Sequence, residues 1–181
     1  MIYTKKGDGG QTSKFDNTSV DKDSLLIEVL GSLDEVGSFL GICKNKASSF
    51  NEKILGLSLI DILDNIQNNL FKIQSNITGK EIQDLKLNTK EIELIIDLLE
   101  KELKPINQFL KADGNELSLS LNYARTLVRK LERKVVALTK KETLVNKKEI
   151  FTYLNRLSDL FFMLFRFVNS NSDYEEKFFN K

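Results

Sequence analysis

The scarcity of helix-breaking residues constrains the fold of this chain more than any other feature of its sequence. Proline occurs once among 181 residues, at Pro105, and three of the nine glycines lie within the first ten residues. Leucine, isoleucine, lysine and glutamate are abundant along the rest of the chain. Because proline and glycine interrupt helices most strongly, we expect long helices joined by short connections.

Apolar periodicity divides the chain into five predicted helices, which cover residues 24–45, 51–77, 89–103, 115–141 and 147–169. Strand-like alternation is confined to residues 2–4, and the stretch after residue 169 has no helical period. The sequence contains no internal repeat and no low-complexity linker. We therefore predict one all-α domain over residues 1–181, a five-helix bundle with a polar N-terminal segment at 1–22 and a frayed tail at 170–181.

The fourth and fifth predicted helices differ in how much of their surface is apolar. The fourth carries one stripe at alternating steps of four and three residues, formed by Leu117, Leu121, Ala124, Val128, Leu131, Val135 and Leu138. The fifth has a comparable stripe, but Phe162, Met163 and Phe165 spread apolar surface around the helix. A helix that is apolar on most sides is buried on most sides, and in a small bundle this predicts a subunit interface.

Composition argues against several classes of function. The net charge is +1 and basic residues are mixed with acidic ones, which disfavours a nucleic-acid partner. The chain has no histidine and one cysteine, Cys43, which disfavours a structural zinc site and leaves Cys43 as a small core residue. No apolar run is long enough to span a bilayer and the start does not resemble a secretory signal, so the predicted compartment is the cytoplasm, without a membrane partner.

The segment from Tyr3 to Ser13 is the first that could carry chemistry. Its glycines permit unusual backbone dihedrals and close approach to a ligand, and exposed amides beside Lys5 could form a nest for an anion. It is not a Walker P-loop, since the GxxxxGK[ST] string is missing. From composition alone, a flexible solvated arm is an equal alternative.

Polar residues on the fourth and fifth predicted helices form two further candidate groups. Arg125, Arg129 and Glu132 project within one narrow arc beside the apolar stripe, where two arginines one turn apart could clamp phosphate oxygens and Glu132 could orient a guanidinium or a magnesium ion. The alternative is a solvated face with pairs at i,i+3 and i,i+4. Asn155 and Asp159 lie one turn apart on a helix with little polar surface, so they need a ligand, another subunit or an interhelical hydrogen bond.

Together, four motifs resemble those of the PduO-type ATP:cob(I)alamin adenosyltransferase family. Residues 3–12 match its Tyr-Thr-Lys-x-Gly-Asp-x-Gly-x-Thr string, and residues 31–35 match Gly-x-x-Asp-Glu in the first helix. Residues 124–133 match Ala-Arg-Thr-x-x-Arg-x-x-Glu-Arg, and residues 155–159 match Asn-Arg-Leu-Ser-Asp. The resemblance covers most of residues 2–169, although the stretch 79–104 carries no motif.

The resemblance implies a homotrimer of five-helix bundles with active sites between neighbouring subunits. In that family Arg125 pairs with Asp34 across the interface, and Phe109 keeps the lower axial ligand off cobalt. The catalytic set is then Arg129, Glu132, Arg125 and Asp34. The residues around ATP and its Mg²⁺ are Thr4, Lys5, Gly7, Asp8, Gly10, Gln11, Thr12, Lys22, Arg129, Glu132 and Asn155, with Glu132 the candidate protein ligand to the metal.

The reaction implied is attack of Co(I) of reduced cobalamin on C5′ of ATP, with release of triphosphate. Such chemistry suits a chain without histidine, because Co(I) is itself the nucleophile and no general base is needed. A flavin reductase and a cobalamin-dependent enzyme are the implied partners. The alternatives are a trimeric carrier or sensor that binds ATP or adenosylcobalamin without catalysis, and a helical interaction module without a ligand.

The sequence also departs from the family pattern at several positions. Leu26, Leu30 and Gly37 stand where the family usually has arginine, tyrosine and asparagine. Residues 111–114, Lys-Ala-Asp-Gly, replace the usual Leu-Pro-Gly-Gly turn. The motifs implied to bind ATP are intact, so the departures fall partly on the corrinoid side.

Overall fold

A computed structural model describes residues 3, 5, 7–14, 17–79, 85–172 and 174–179 of the chain. In these residues the backbone forms five α-helices: α1 (Leu25–Lys46), α2 (Leu59–Ile77), α3 (Thr89–Glu102), α4 (Glu116–Leu138) and α5 (Lys147–Ser170). A short 3₁₀ turn (Ala47–Ser49) follows α1. Two antiparallel hairpins complete the described part, β1 (Gln11–Ser13) with β2 (Ser19–Asp21) and β3 (Lys53–Ile54) with β4 (Leu57–Ser58). The predicted helical fold with five helices is confirmed.

The start of the second helix differs from the prediction, because residues 51–58 form a hairpin instead of the first two helical turns. Leu55 and Gly56 both have positive φ, at 52° and 80°, which gives the tight reversal between β3 and β4. The helix then begins at Leu59 behind a capping box. The Ser58 hydroxyl accepts from the backbone N–H of Asp61, and the Asp61 carboxylate accepts from the backbone N–H of Ser58.

The core lies between α5 and the helices around it, with α4 and α3 against α5 and α1 against α4 and α2. All seven members of the predicted α4 stripe are buried. Of the three residues that spread apolar surface around α5, Met163 and Phe165 are buried within a single chain, and Phe162 is half-buried. Most of the apolar circumference of α5 is therefore explained by its central position in the bundle, and a subunit interface on this helix stays a prediction.

The N-terminal segment contains a strand pair that the sequence did not predict. The structure does not describe residues 2 and 4, and Tyr3 belongs to no strand. Strand pairing occurs further on, where Gln11, Thr12 and Ser13 lie opposite Asp21, Val20 and Ser19. Three-residue strands are too short to produce a recognisable alternation, so periodicity could not find them.

The end of the chain also differs from the expected frayed tail. Residues 174–179 lie beside residues 109–113: the backbone N–H of Lys111 donates to the Lys177 carbonyl (2.8 Å), and that of Phe179 donates to the Phe109 carbonyl (3.0 Å). A salt bridge joins Arg166 of α5 to Glu176, with Nε 2.8 Å from Oε1. Tertiary contacts therefore order a segment that lacks periodicity of its own.

Cys43 lies in the core, fully buried, as predicted. Burial raises the pKa of its thiol to about 11. At pH 8 we therefore expect the thiolate to be about two hundredfold scarcer than in an unfolded chain, where the thiol pKa is near 8.5. A disulfide reagent should modify the native protein at least that much more slowly than the denatured protein. Equal rates in the two states would contradict this placement.

None of the helices in the described ranges is long and apolar enough to cross a membrane.

Candidate functional site

Lys5 and residues 7–10 form a compact turn closed by a lysine. The backbone N–H of Asp8 donates to the Lys5 carbonyl (3.4 Å), and that of Gly10 donates to the Gly7 carbonyl (3.3 Å). The Lys22 ammonium donates to the same Gly7 carbonyl at 2.6 Å. A Cβ on Gly7 would lie 3.0 Å from Lys22 Nζ, a contact that a small shift of the flexible lysine side chain would relieve. The turn thus places exposed backbone and a cation together, as an anion site requires.

The hairpin that follows fixes the distance between this turn and Lys22. The backbone N–H of Lys22 donates to the Gly10 carbonyl (2.9 Å), and the Gln11 side-chain amide donates to the Asp21 carboxylate (3.1 Å). Thr12 pairs with Val20 in the ladder and is half-buried. Lys5, Gly7, Asp8, Gly10, Gln11, Thr12 and Lys22 are therefore brought together, whereas Thr4 lies outside the described residues.

Arg125 and Arg129 lie one turn apart on α4, and their charges repel each other. Burial and the charge of Arg129 both lower the pKa of Arg125. Arg125 Nε donates to the Asn122 side-chain oxygen (2.9 Å), which fixes part of the guanidinium. Arg129 is exposed, and its side chain has no hydrogen-bond or ion-pair partner among the described residues. Two neighbouring cations with free donors are suited to bind a polyanion.

Glu132 and Asn155, which are 23 positions apart in sequence, meet between α4 and α5. The Asn155 Nδ2 donates to Glu132 Oε1 at 3.3 Å, and Asn155 Oδ1 accepts from Arg156 Nη1 at 3.0 Å. Arg156 Nε in turn donates to the Glu93 carboxylate on α3 at 3.0 Å. A guanidinium can only donate, so Arg156 holds the Asn155 oxygen on its side and leaves the NH₂ toward Glu132.

The acidic residues of α1 fall into two groups. Glu28 and Glu35 pair with lysines of α4, Lys134 and Lys130, within the same chain. The pair with Glu35 raises the pKa of Lys130. Asp34 is exposed and has no hydrogen-bond or ion-pair partner in the described part of the chain. The implied pairing of Asp34 with Arg125 does not occur within one chain, where Arg125 contacts Asn122 instead.

The two polar groups are separate within one chain. The described part of the N-terminal segment makes no hydrogen bond or ion pair with Arg125, Arg129, Glu132 or Asn155. Each group is incomplete as a nucleotide site, because one holds the glycine-rich turn and the other holds the arginines and the carboxylate.

Phe109 presents the most exposed large apolar side chain among the described residues, with 86 % of its surface accessible. Its backbone is nevertheless held, because its carbonyl accepts from the N–H of Phe179. The turn after it depends on Gly114, with φ +148°, since a Cβ there would lie 2.3 Å from side-chain atoms of Asn169 and Ser118.

No group of three or more carboxylate or thiol side chains within the described ranges is arranged to hold a metal ion. Glu132, with Asn155 beside it, provides a single carboxylate. One carboxylate is a typical protein contribution to a magnesium ion that receives its other ligands from water and nucleotide phosphates. Glu132 and Asn155 therefore suit an Mg²⁺ ion that binds together with a nucleotide. They do not form a permanent metal site of their own.

The sequence model of the cobalamin adenosyltransferase family matches residues 2–168 of this chain. The chain belongs to that family. The corrinoid adenosyltransferase of Bacillus subtilis is 35% identical over 178 residues, which cover 94% of this chain and 88% of that protein. The human corrinoid adenosyltransferase is 31% identical over 191 residues, covering 99% of this chain and 73% of that protein.

Solved structures of similar proteins agree with this family assignment. A variant PduO-type ATP:corrinoid adenosyltransferase from Lactobacillus reuteri, complexed with cobalamin and ATP, superposes with a TM-score of 0.86 at 26% identity, and the match covers 100% of both chains. A second variant of that enzyme, complexed with ATP, gives a TM-score of 0.84 at 27% identity. The PduO-type family predicted from four motifs is confirmed.

Sequence reasoning missed three residues that shape the adenosyltransferase site. Asn122 fixes Arg125 from the preceding turn, and its i,i+3 spacing was a usable signal. Arg156 lies inside the matched motif at residues 155–159, but the sequence analysis assigned it no role. Glu93 lies in the stretch 79–104, which carries no motif. Because Glu93 is 63 positions from Arg156, no local pattern indicates their contact.

Proposed function

We propose that this chain is an ATP:corrinoid adenosyltransferase whose active site forms between the N-terminal segment of one subunit and α4 and α5 of its neighbour. The observation that carries the proposal is the separation of two complementary half-sites within one chain. One half offers the exposed glycine-rich turn with Lys22, and the other offers Arg129, Glu132 and Asn155. A subunit interface is the simplest arrangement that unites them.

In the proposed reaction, Co(I) of cobalamin, a substrate, attacks C5′ of ATP. The cobalt–carbon bond forms while the bond from C5′ to the triphosphate oxygen breaks, and the triphosphate leaves with that electron pair. Since Co(I) supplies the nucleophilic electrons, the protein must orient ATP in line and stabilise charge on the leaving group. Lys22 beside the glycine-rich turn and the free donors of Arg129 suit that second task.

Mg²⁺, when bound with ATP, neutralises phosphate charge. Glu132 is the residue that we expect to contact the metal or one of its waters. Arg156 and Glu93 fix the Asn155 amide, so that its NH₂ holds the Glu132 carboxylate in place. Arg125 is oriented by Asn122, and we propose that its remaining donors meet Asp34 of a neighbouring subunit.

We propose that the oligomer is the homotrimer that the family resemblance implies, and an exposed apolar face supports a subunit interface. Tyr123 and Leu119 of α4 and Ile42 of α1 are 54%, 38% and 50% exposed, and the Tyr123 ring packs edge-on against Phe39 at 5.1 Å. Exposed apolar residues that cluster on adjacent helices are typical of protein interfaces.

Sedimentation equilibrium at micromolar concentration should therefore give three times the mass of one chain. Tyr123→Asp should shift the protein toward monomer, because it places a charge in the apolar contact. Phe71→Asp, at an exposed phenylalanine on α2, is the matched control and should leave the trimer intact. A monomeric wild-type protein, or equal effects of the two substitutions, would contradict the proposed interface.

Triphosphate release distinguishes the enzyme from a non-catalytic carrier or sensor. With Mg-ATP and chemically reduced cobalamin, the enzyme should release one inorganic triphosphate for each adenosylcobalamin formed. A carrier or sensor would bind ATP or adenosylcobalamin and release none. A flavin reductase as electron donor, a cobalamin-dependent enzyme as recipient of the product and the cytoplasm as the compartment remain predictions.

A further inference from the structure

The charged residue Arg166 is buried in α5 and far in sequence from every matched motif residue except those of its own helix. Its side chain is 5 % exposed, and it makes a two-pronged salt bridge to Glu176, with Nε 2.8 Å from Oε1 and Nη2 3.0 Å from Oε2. Nη2 also donates to the Lys104 carbonyl at 2.7 Å. A buried guanidinium must be paired in this way, because an unpaired buried charge is strongly destabilising.

These contacts connect three segments at one point. Arg166 belongs to α5, Glu176 belongs to the tail at 174–179, and Lys104 opens the connection that leads from α3 to Phe109. Beyond this point the tail runs antiparallel to that connection, with Leu110 opposite Phe178. Its hydrogen bonds reach the carbonyl of Phe109 and the N–H of Lys111.

Phe109 has no other support of comparable strength. Its ring is 86 % exposed, so core packing does not fix it, and its backbone bond in the described structure is the one from the tail. The pair between Lys177 and Asp113 also joins tail and connection, but both side chains are largely exposed, and such pairs contribute little to stability.

We propose that Arg166 and Glu176 form a latch that positions Phe109 by fastening the tail against the connection before a corrinoid binds. Arg166 is thus a positioning residue for the corrinoid side of the site. The proposal rests on the proposed adenosyltransferase function and on the corrinoid role that the family resemblance implies for Phe109. Opening the latch would let Arg166 reach water and free the tail, and the Phe109 backbone would lose its partner.

The test compares the homotrimeric wild-type protein with Glu176→Ala and with Lys177→Gln, a matched control that removes the exposed neighbouring pair. In Glu176→Ala we expect amide exchange at Lys111 and Phe179 to rise about tenfold or more, and the NMR order parameter of Phe109 to fall. With ATP and Co(II) cobalamin, the fraction of four-coordinate cobalt measured by electron paramagnetic resonance should fall together with the order parameter of Phe109. Lys177→Gln should change each quantity less than about twofold.

The two parts of this test separate the latch from the function on which it rests. Unchanged exchange and order in Glu176→Ala overturn the latch. Increased exchange with an unchanged four-coordinate fraction overturns the positioning role, because the tail would then be loose without consequence for Phe109. If the wild-type protein gives no four-coordinate signal while exchange and order respond as expected, the latch stands and the corrinoid role of Phe109 fails.

Discussion

Replacing Arg129 by alanine should lower kcat/KM for adenosyl transfer about 10- to 150-fold. The loss corresponds to roughly 1.5–3 kcal/mol, the range for a hydrogen bond to a charged group, here the departing triphosphate. Folding should be preserved, because Arg129 is exposed and its side chain has no partner among the described residues. Removing its charge should also relieve the repulsion that lowers the pKa of Arg125.

Two further substitutions make the Arg129 result specific. Arg129→Lys should restore only part of the activity, since an ammonium cannot reproduce the planar fork of a guanidinium. Arg133→Ala is the matched control, because Arg133 is an exposed arginine one turn further along α4 that donates to the Arg129 backbone carbonyl. Steady-state kinetics with Mg-ATP and pre-reduced cobalamin provide the measurement. Wild-type turnover in Arg129→Ala, or an equal loss in Arg133→Ala, rules out the assigned role.

Replacing Phe109 by alanine should abolish the four-coordinate Co(II) signal that the wild-type protein gives with ATP and Co(II) cobalamin. Without a lower axial donor the orbital that receives the electron lies lower, so the four-coordinate form is easier to reduce. Turnover that starts from Co(II) should therefore slow strongly, while turnover with Co(I) prepared in advance should be much less affected. The fold should tolerate the change, because the ring is exposed.

The control for Phe109 is Phe71→Ala, which removes an exposed ring from α2. Electron paramagnetic resonance and the ratio of the two turnover rates should match the wild type in that variant. Five-coordinate cobalt in the wild-type protein, despite tight ATP binding, would mean that the altered turn at residues 111–114 does not support this role. Two contacts hold that turn in the structure. The side-chain amide of Asn169 donates to the Asp113 carbonyl, and Lys177 pairs with the Asp113 carboxylate.

The helices could be predicted from the sequence because each buries one periodic face. The α4 stripe is the clearest case, and every predicted member is buried. The start of α2 could not be placed, because the capping box at Ser58 follows a hairpin whose strands have two residues each. Short strands carry no period, and apolar residues such as Ile54 and Leu57 extended the apparent helix toward Asn51.

Long-range contacts account for two features that sequence reasoning missed, the ordered tail and the burial of α5 within one chain. The tail is ordered by Arg166, and no local pattern in the sequence indicates its contact with Glu176. The apolar surface of α5 predicts a subunit interface, although the same chain already buries most of that surface and leaves Phe162 half-buried. Periodicity shows that a face is buried but does not identify what buries it.

The motifs identified the residues of the candidate site, but they did not predict the contacts within it. The motifs singled out Glu132 and Asn155, but the hydrogen bond between them and the support from Glu93 depend on how α3, α4 and α5 pack. The roles assigned to the N-terminal segment, Asp34 and Phe109 remain predictions, because they concern ligands and a neighbouring subunit.

The most direct measurement is anaerobic incubation of the purified protein with Mg-ATP and chemically reduced cobalamin, following the absorbance of cob(I)alamin. We predict that the cob(I)alamin absorbance decays over many turnovers per active site and that the adenosylcobalamin spectrum replaces it. Omitting ATP should leave the cob(I)alamin spectrum unchanged. Tight ATP binding without any decay would contradict the proposed activity and would favour the carrier or sensor.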